Sequence, residues 1–491
     1  MTVGWRKYAA ILVPMTVVVA APLVLREEGD TGAAGADVRL EVISPHNETI
    51  RREFGEAFAA WWKEKSGERV YVNWRTPGGT SEIKRVLDSA YEAAAAGGRD
   101  GIGIDLFFGG GEYDFSKQAS LGRFEKLRVF ESRKELFESG VIPATMSGER
   151  YYDPEHTWVG VCLSSFGICY NTDLVNARGL VPPSRWEDLG TPEYYRGIAL
   201  ADPTKSGSVA KAFEMLVQEQ MQAVAKTGAG RDDVMEAGWK AGLNLIQRIG
   251  ANARYFTDSA SKIPHDVAQG NAVAGMCIDF YGRSFNESLK EEDGTSRLEF
   301  ITPVGGSSIS VDPVAVLRGA PHPELAQEFV EFLLTKRGQM IWNARVGADP
   351  GPHHRALRRL PIRRDLYEGE TLAMMVDRDA MPYEAAGEFV YDGALTGHLF
   401  TALRTIVRVM CIDSHHELKA GWEALIEAGF PEKATSTFFH VGAVSYERTG
   451  TVIREALKSE DKVAAARLLN QLGRTFRANY REAARLAREG R

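Results

Sequence analysis

The stretch Val38-Arg39-Leu40-Glu41-Val42-Ile43-Ser44-Pro45-His46-Asn47 decides the fold. Apolar and polar residues alternate from Val38 to Ile43, the period of a strand, and Ser44-Pro45-His46-Asn47 stops it. Ile50, Phe54, Phe58, Trp61 and Trp62 then fall on one helical face. Val70-Tyr71-Val72-Asn73-Trp74 is a second strand, and Thr76-Pro77-Gly78-Gly79 is a turn. Ile83, Val86, Leu87, Ala90 and Tyr91 form the inward stripe of a second helix. Ile104-Asp105-Leu106-Phe107-Phe108 is a third strand, stopped by Gly109-Gly110-Gly111. Strand, helix, strand, helix, strand with short joins predicts a parallel sheet covered by helices.

A second α/β unit follows the same grammar. Trp158 to Tyr170 is apolar and β-rich, Ile198 to Ala201 is a strand, Ser206-Gly207-Ser208 leads into a helix, and Ala274 to Phe280 is another strand. Leu298–Ile301 and Val314–Leu317 read as strands, and Pro323 to Trp342 as one helix. Beyond about residue 350 the strands give way to helices rich in Ala, Arg and Glu. Arg474, Arg477, Arg481, Arg485 and Arg488 recur at helical spacing with Glu482 and Glu489 between them, the pattern of a solvated face rather than a membrane-facing one.

Composition bounds the class. The chain has 491 residues, 44% hydrophobic and 25% charged, with a net charge of -7. These values fit a multi-domain globular protein, and they exclude collagen-like, wholly disordered and multi-span membrane chains. No basic field draws in nucleic acid. The four cysteines make neither a disulfide scaffold nor a zinc spacing; their apolar settings suit buried thiols.

Basic Arg6-Lys7 precedes an uncharged run over residues 8–25, and mostly acidic residues follow it, the pattern of an exported chain. It reads either as a signal peptide cut near Ala34-Gly35-Ala36 or as an uncleaved inner-membrane anchor. No cysteine lies near it, so a lipid anchor is excluded.

Three segments share one physical device: Ser44-Pro45-His46-Asn47, Gly78-Gly79-Thr80-Ser81 and Ser206-Gly207-Ser208 each join a strand end to a helix start. Free N–H groups and the positive dipole end suit anionic oxygen there, and each is equally an ordinary N-cap. In open α/β sheets ligands sit beyond the carboxyl ends of strands. Catalytic signatures are absent: no GxSxG, HExxH, GxxxxGK[ST] or GxGxxG after a strand. His353-His354 and His415-His416-Glu417 read as surface residues, and Asp105, Asp202 and Asp279 as strand-end residues without a visible catalytic partner.

The chain resembles the type II periplasmic solute-binding proteins of ABC importers, in the branch of ferric-ion and sugar-phosphate receptors. The resemblance is carried by Trp158-Val159-Gly160-Val161, Tyr170 to Leu174, Ala201-Asp202-Pro203-Thr204-Lys205-Ser206-Gly207-Ser208, Val267 to Tyr281 and Arg318 to Ala326. It spans roughly residues 38–345. It implies an α/β fold of two lobes, with a mainly helical C-terminal segment added. The expected organisation is signal peptide or anchor plus linker over 1–36, first lobe over 37–154 and 286–350, second lobe over 155–285, and helical extension over 351–491.

It further implies a monomeric binding protein, not an enzyme, without cofactor or resident metal, whose partners are a small ligand and an importer permease. The expected ligand residues are Ser44, His46, Asn47, Thr80, Ser81, Gly110, Ser206, Gly207, Ser208, Asp279 and Tyr281. A phosphorylated or polyhydroxylated anion stands first. Ferric ion stands second: its receptors carry two adjacent tyrosines where this chain has Phe280-Tyr281, although His46 falls near a histidine they keep. An enzyme on the same scaffold, using Asp279 or His46 as base, and a membrane-tethered sensor or assembly protein are the rival readings.

Overall fold

The computed structural model describes residues 35–385, 387 and 389–490. The apolar run over 8–25 and Ala34 of the expected cleavage site lie outside the described residues.

The expected strand alternation becomes β1 (Val38–Ile43) and β2 (Val70–Arg75), which pair in parallel from Val38↔Val70 to Ile43↔Arg75. β3 (Leu106–Phe108) joins the other edge of β1, also in parallel. Between these strands run α1 (Glu48–Ser66) and α2 (Thr80–Ala96). They bury Ile50, Phe54 and Phe58 and Ile83, Leu87 and Tyr91 of the stripes read from spacing, while Trp61, Trp62, Val86 and Ala90 are half-buried. A third helix, α3 (Glu112–Ser120), follows β3. A short hairpin, β4 (Thr145–Met146) with β5 (Glu149–Arg150), leads toward the second half.

The apolar stretch from Trp158 is two strands, not one. β6 (Val159–Ser164) belongs to the first sheet and β7 (Phe166–Asn171) to the second, so the chain crosses between lobes at Ser165. The second sheet has the order β11-β7-β10-β8-β9, built from β8 (Ile198–Ala201), β9 (Ala253–Thr257), β10 (Ala274–Ile278) and β11 (Leu298–Ile301). Helices α4 (Gly207–Ala225), α5 (Arg231–Asn252) and α6 (Asp279–Ser288) cover it. The chain returns over residues 302–309 to β12 (Ser310–Val316), which lies between β3 and β6 in the first sheet.

Pairing therefore corrects the expected boundaries. Residues 159–164, expected in the second lobe, complete the first sheet through β12, and residues 298–301, expected in the first, pair with β7 in the second. The helix expected over Pro323–Trp342 breaks at Thr335, which ends α7 (Pro323–Leu334) in extended conformation and caps the next turn through Gly338 N–H.

The C-terminal part is no separate appendage. Strand β13 (Leu360–Pro361) pairs with β6 at the edge of the first sheet, and Leu357, Ile362, Leu366 and Met375 enter that lobe's core. From Phe389 onward the chain joins the core of the second lobe instead. There α8 (Phe400–Val407), α9 (His415–Glu427) and α10 (Lys462–Arg488) supply Leu403, Ile406, Trp422, Phe476 and Tyr480 against Trp239, Leu243 and Ile246 of α5. Leu472, Phe476, Tyr480, Ala483 and Ala487 face inward along α10. The arginine stripe faces out, where Arg485 pairs with Glu482 and Glu489 and Arg481 with Glu417.

Among the described residues one helical stretch, Gly393–Ile412, is long and apolar enough to cross a membrane; 61% of it is buried within the protein, as in a core helix. All four cysteines are buried free thiols.

Candidate functional site

The two sheets aim their strand ends at one junction. β1, β2 and β3 in the first lobe and β8 in the second each lead through a short loop into a helix start, and β10 passes into one directly. Thr80 begins α2 after Gly79, which has no side chain to cap it. Gly207 begins α4 after Ser206, whose hydroxyl accepts from Val209 N–H at 3.5 Å. The N–H groups of Thr80, Ser81, Gly207 and Ser208 donate to nothing among the described residues. They are the orphan donors that every helix start leaves over.

Those starts come from opposite lobes and meet. A Cβ added to Gly207 would lie 2.8 Å from Thr80 Oγ1, and one added to Gly79 would lie 3.5 Å from Lys205 O. Gly110 closes the same corner, since its Cβ would stand 2.9 Å from Thr80 Cγ2. Its φ of +145° is open to glycine and strained for other residues.

Arg404 of α8 reaches into this junction. Its Nη2 donates to Ser81 Oγ in the first lobe and to Thr204 O in the second, each at 2.9 Å, and its Nε donates to Pro203 O at 2.6 Å. Burial lowers the pKa of Arg404, opposed by the nearby Asp114. The adjoining face of α3 carries Tyr113, whose ring lies 4.9 Å from Phe400 and whose hydroxyl meets Thr401 at 3.2 Å. Beyond Tyr113 opens a cavity of about 520 Å³ lined by Lys117, Glu149, Arg150 and Tyr391 among others. Glu149 there is tied across the lobes to Lys211 of α4 at 3.1 Å.

At the base of the junction lies a buried polar cluster. Asp312 of β12 accepts from His46 Nε2 at 3.0 Å and from Gly110 N–H, and it pairs with Arg359. Arg359 also donates to Ser164 Oγ at 2.5 Å and lies over the rings of Phe280 (4.6 Å) and Trp342 (5.6 Å). A Cβ on Gly109 would stand 2.7 Å from the His46 ring, so that close approach needs glycine, as does its φ of +97°.

Burial pushes the Asp312 carboxyl up, but Arg359 and His46 outweigh it and hold the group well below the usual carboxylate range. Burial lowers the His46 pKa against the pull of Asp312, so the imidazole is neutral near pH 7. Asp279 of α6 is pushed up by burial, opposed by Arg283 and Arg359. Among the described residues His46 Nδ1, Arg359 Nε, Asp279 Oδ2 and Arg283 Nη1 are buried without hydrogen-bond partners, the last two facing each other as an ion pair at 3.7 Å.

The structure brings together Thr80, Ser81, Gly110, Ser206, Gly207 and Ser208 of the expected residues. Others are committed elsewhere. Asn47 Oδ1 caps α1 through Ile50 N–H at 3.0 Å, and Ser44 Oγ accepts from His46 N–H at 3.1 Å. His46 spends Nε2 on Asp312. Asp279 is wholly buried, with Oδ1 accepting from Phe280 N–H. Tyr281 packs against the first lobe's core.

Sequence reasoning missed Arg359, Asp312 and Arg404. The two arginines sit in a segment with no local signal of a cleft, and Asp312 looks like any residue entering a strand. Of the histidines set aside as surface residues, His353 and His354 are exposed, His354 pairing with Glu56, whereas His415 is half-buried, edge-on to Phe256 with Nε2 at 3.1 Å from Ala253 O. Among the described residues no group of three or more His, Cys, Asp or Glu side chains is placed to hold a metal ion.

Two lobes joined by crossing strands, with helix starts facing across the gap, define a type II periplasmic-binding-protein architecture. The sequence profile of the bacterial extracellular solute-binding proteins matches residues 104–366, more than half the chain, and the chain belongs to that family. It is a family of binding proteins rather than enzymes.

Among curated proteins, the phosphoglycerate transport regulatory protein PgtC of Salmonella typhimurium is 29% identical over 185 residues, which is 38% of this chain and 40% of that protein. Among solved structures, the periplasmic binding protein AfuA from Actinobacillus pleuropneumoniae, with fructose-6-phosphate bound, superposes with a TM-score of 0.50 at 18% identity, covering 72% of this chain and 95% of that one. The substrate-binding protein of an ABC transporter from Agrobacterium tumefaciens gives 0.52 at 17% identity, covering 76% and 95%. At these identities the structural likeness is one of fold.

Proposed function

We propose that this chain captures a small phosphorylated or polyhydroxylated anion between its lobes, outside the cytoplasmic membrane, and presents it to the permease of an ABC importer. The observation that carries the reading is the meeting of two helix starts from opposite lobes, with the N–H groups of Thr80, Ser81, Gly207 and Ser208 unclaimed. Converging N–H donors and positive dipole ends favour anionic oxygen. Contacts supplied by both lobes at once make binding depend on closure.

The curated relative is named for phosphoglycerate transport and the AfuA structure holds fructose-6-phosphate, which points to the same ligand chemistry. Ferric ion fits less well. Tyr281 offers one phenol, while Phe280 offers none and lies under the Arg359 guanidinium, whose charge repels a trivalent cation.

Thermal-shift and calorimetric titration of the chain with fructose 6-phosphate, 3-phosphoglycerate, unphosphorylated fructose and ferric citrate test this. A phosphorylated probe at a hundred times its Kd should add about 2.7 kcal/mol of stability. Stabilisation by ferric citrate alone, or by none of the probes, overturns the reading.

A further inference from the structure

The C-terminal segment does more than enlarge the second lobe. Arg404 is only 9% exposed, yet it has no ion pair among the described residues; its bonds go to Pro203 O, Thr204 O and Ser81 Oγ. Its Nη1 makes no hydrogen bond among the described residues. The carboxylates nearest in its field already have other cations: Asp114 faces Lys84 at 3.6 Å, Asp202 faces Arg408 at 3.8 Å and Glu82 faces Arg85 at 3.0 Å. A nearly buried guanidinium therefore stands at two positive helix starts without an ion pair of its own among the described residues.

Such an arrangement is unfavourable on its own, because a nearly buried guanidinium without a direct ion pair loses more hydration than its shared carboxylate neighbours return. An anion at the four free amides would relieve it. A phosphomonoester offers oxygen acceptors enough for the amides and the guanidinium together.

We propose that Arg404 is a specificity-determining residue of the site, selecting the phosphate-bearing solute over its neutral counterpart. The C-terminal segment thereby contributes directly to ligand choice. This rests on the anion reading above and narrows it to phosphate esters. The same residue bridges the lobes through Ser81 and Thr204, so ligand charge and lobe closure are coupled through one side chain.

The test is calorimetry on the full chain with fructose 6-phosphate and fructose, comparing wild type with Arg404→Gln, Arg404→Lys and Ser81→Ala. Arg404→Gln should weaken fructose 6-phosphate binding on the order of 10- to 100-fold, the value of a charge-assisted bond, and leave fructose binding unchanged. Arg404→Lys should recover part of the loss, because it restores charge without the planar fork.

Should the Gln variant fail to fold, Ser81→Ala carries the test. It removes only the hydroxyl that steers Nη2, and about a threefold to tenfold loss is expected. Phosphate-ester binding that is unchanged or tighter in the variants shows Arg404 to be a plug or a purely structural residue and overturns the proposal while the anion reading stands. Wild type that binds no phosphorylated probe overturns both.

Discussion

Replacing Asp312 with Asn removes the carboxylate that holds the base of the cleft together. Asp312 and Arg359 are 5% and 2% exposed, so the guanidinium left behind cannot reach bulk water and keeps as a counter-charge only the buried Asp279, which it shares with Arg283. Breaking a buried pair by removing one partner costs about 3–5 kcal/mol. For a cooperative unit of 150–250 residues each kcal/mol corresponds to about 2–4 °C, so the melting transition of the first lobe should fall on the order of 6–20 °C.

Removing both charges together, in Asp312→Asn with Arg359→Met, should recover about half of that loss, since the orphaned charge is gone. The pH dependence follows from the sign of the shift. The folded carboxyl is depressed, so its contribution is present above the unfolded value of about 3.9 and is lost as pH falls through the folded value. The gap between wild type and variant should be flat from neutral to mildly acidic pH and shrink in strong acid. Differential scanning calorimetry across pH reads all of this. A single variant melting within about 2 °C of wild type, or a double variant as damaged as the sum of the singles, refutes the account.

Three further outcomes follow from the packing. Gly207→Ala places a Cβ 2.8 Å from Thr80 Oγ1, so titration should show weaker ligand binding, on the order of tenfold, and adding Thr80→Ala should restore it. Burial and Glu187 push Glu219 up to about 8, so its folded form resists ionising; the stability it lends is fully present below about pH 4.5 and is lost as pH rises through about 8. Glu219→Gln should therefore match wild type in acid and gain about 1–2 kcal/mol at pH 8 in urea titrations, while a variant less stable at pH 8 contradicts the sign. Phe476→Ala opens a cavity where α10 meets the second lobe and should cost about 3–5 kcal/mol by the same method; a negligible loss would mean that the C-terminal helices are a detachable appendage.

Local pattern made the first parallel unit legible. Residues from Val38 to Phe108 carry their strand alternation and helical stripes openly, and the structure buries Ile50, Phe54, Phe58, Ile83, Leu87 and Tyr91 of the inward residues they name, leaving Trp61, Trp62, Val86 and Ala90 half-buried. The crossings were hidden, because Val159–Ser164 and Phe166–Asn171 are equally apolar and nothing between them but Ser165 marks a change of sheet. Helix starts at Thr80 and Gly207 could be read from Gly and Ser in the right register. That they touch is a long-range fact no window of sequence contains.

Arg359 and Arg404 were illegible for a sharper reason. Each lies among many arginines in a helix-rich segment, and only tertiary packing separates a guanidinium over Phe280 from one on the solvated face of α10. The C-terminal part was read as an addition because its strand is two residues long; its role as a wall of the cleft depends on Tyr391, Phe400 and Arg404 meeting the first lobe.

A crystal structure of the chain grown with fructose 6-phosphate bears most directly on the interlobe claim. The phosphate should lie within hydrogen-bonding distance of the N–H groups of Thr80, Ser81, Gly207 and Ser208, with the Arg404 guanidinium against it. Density for the sugar phosphate on an outer surface, with those four amides still unclaimed, would contradict it.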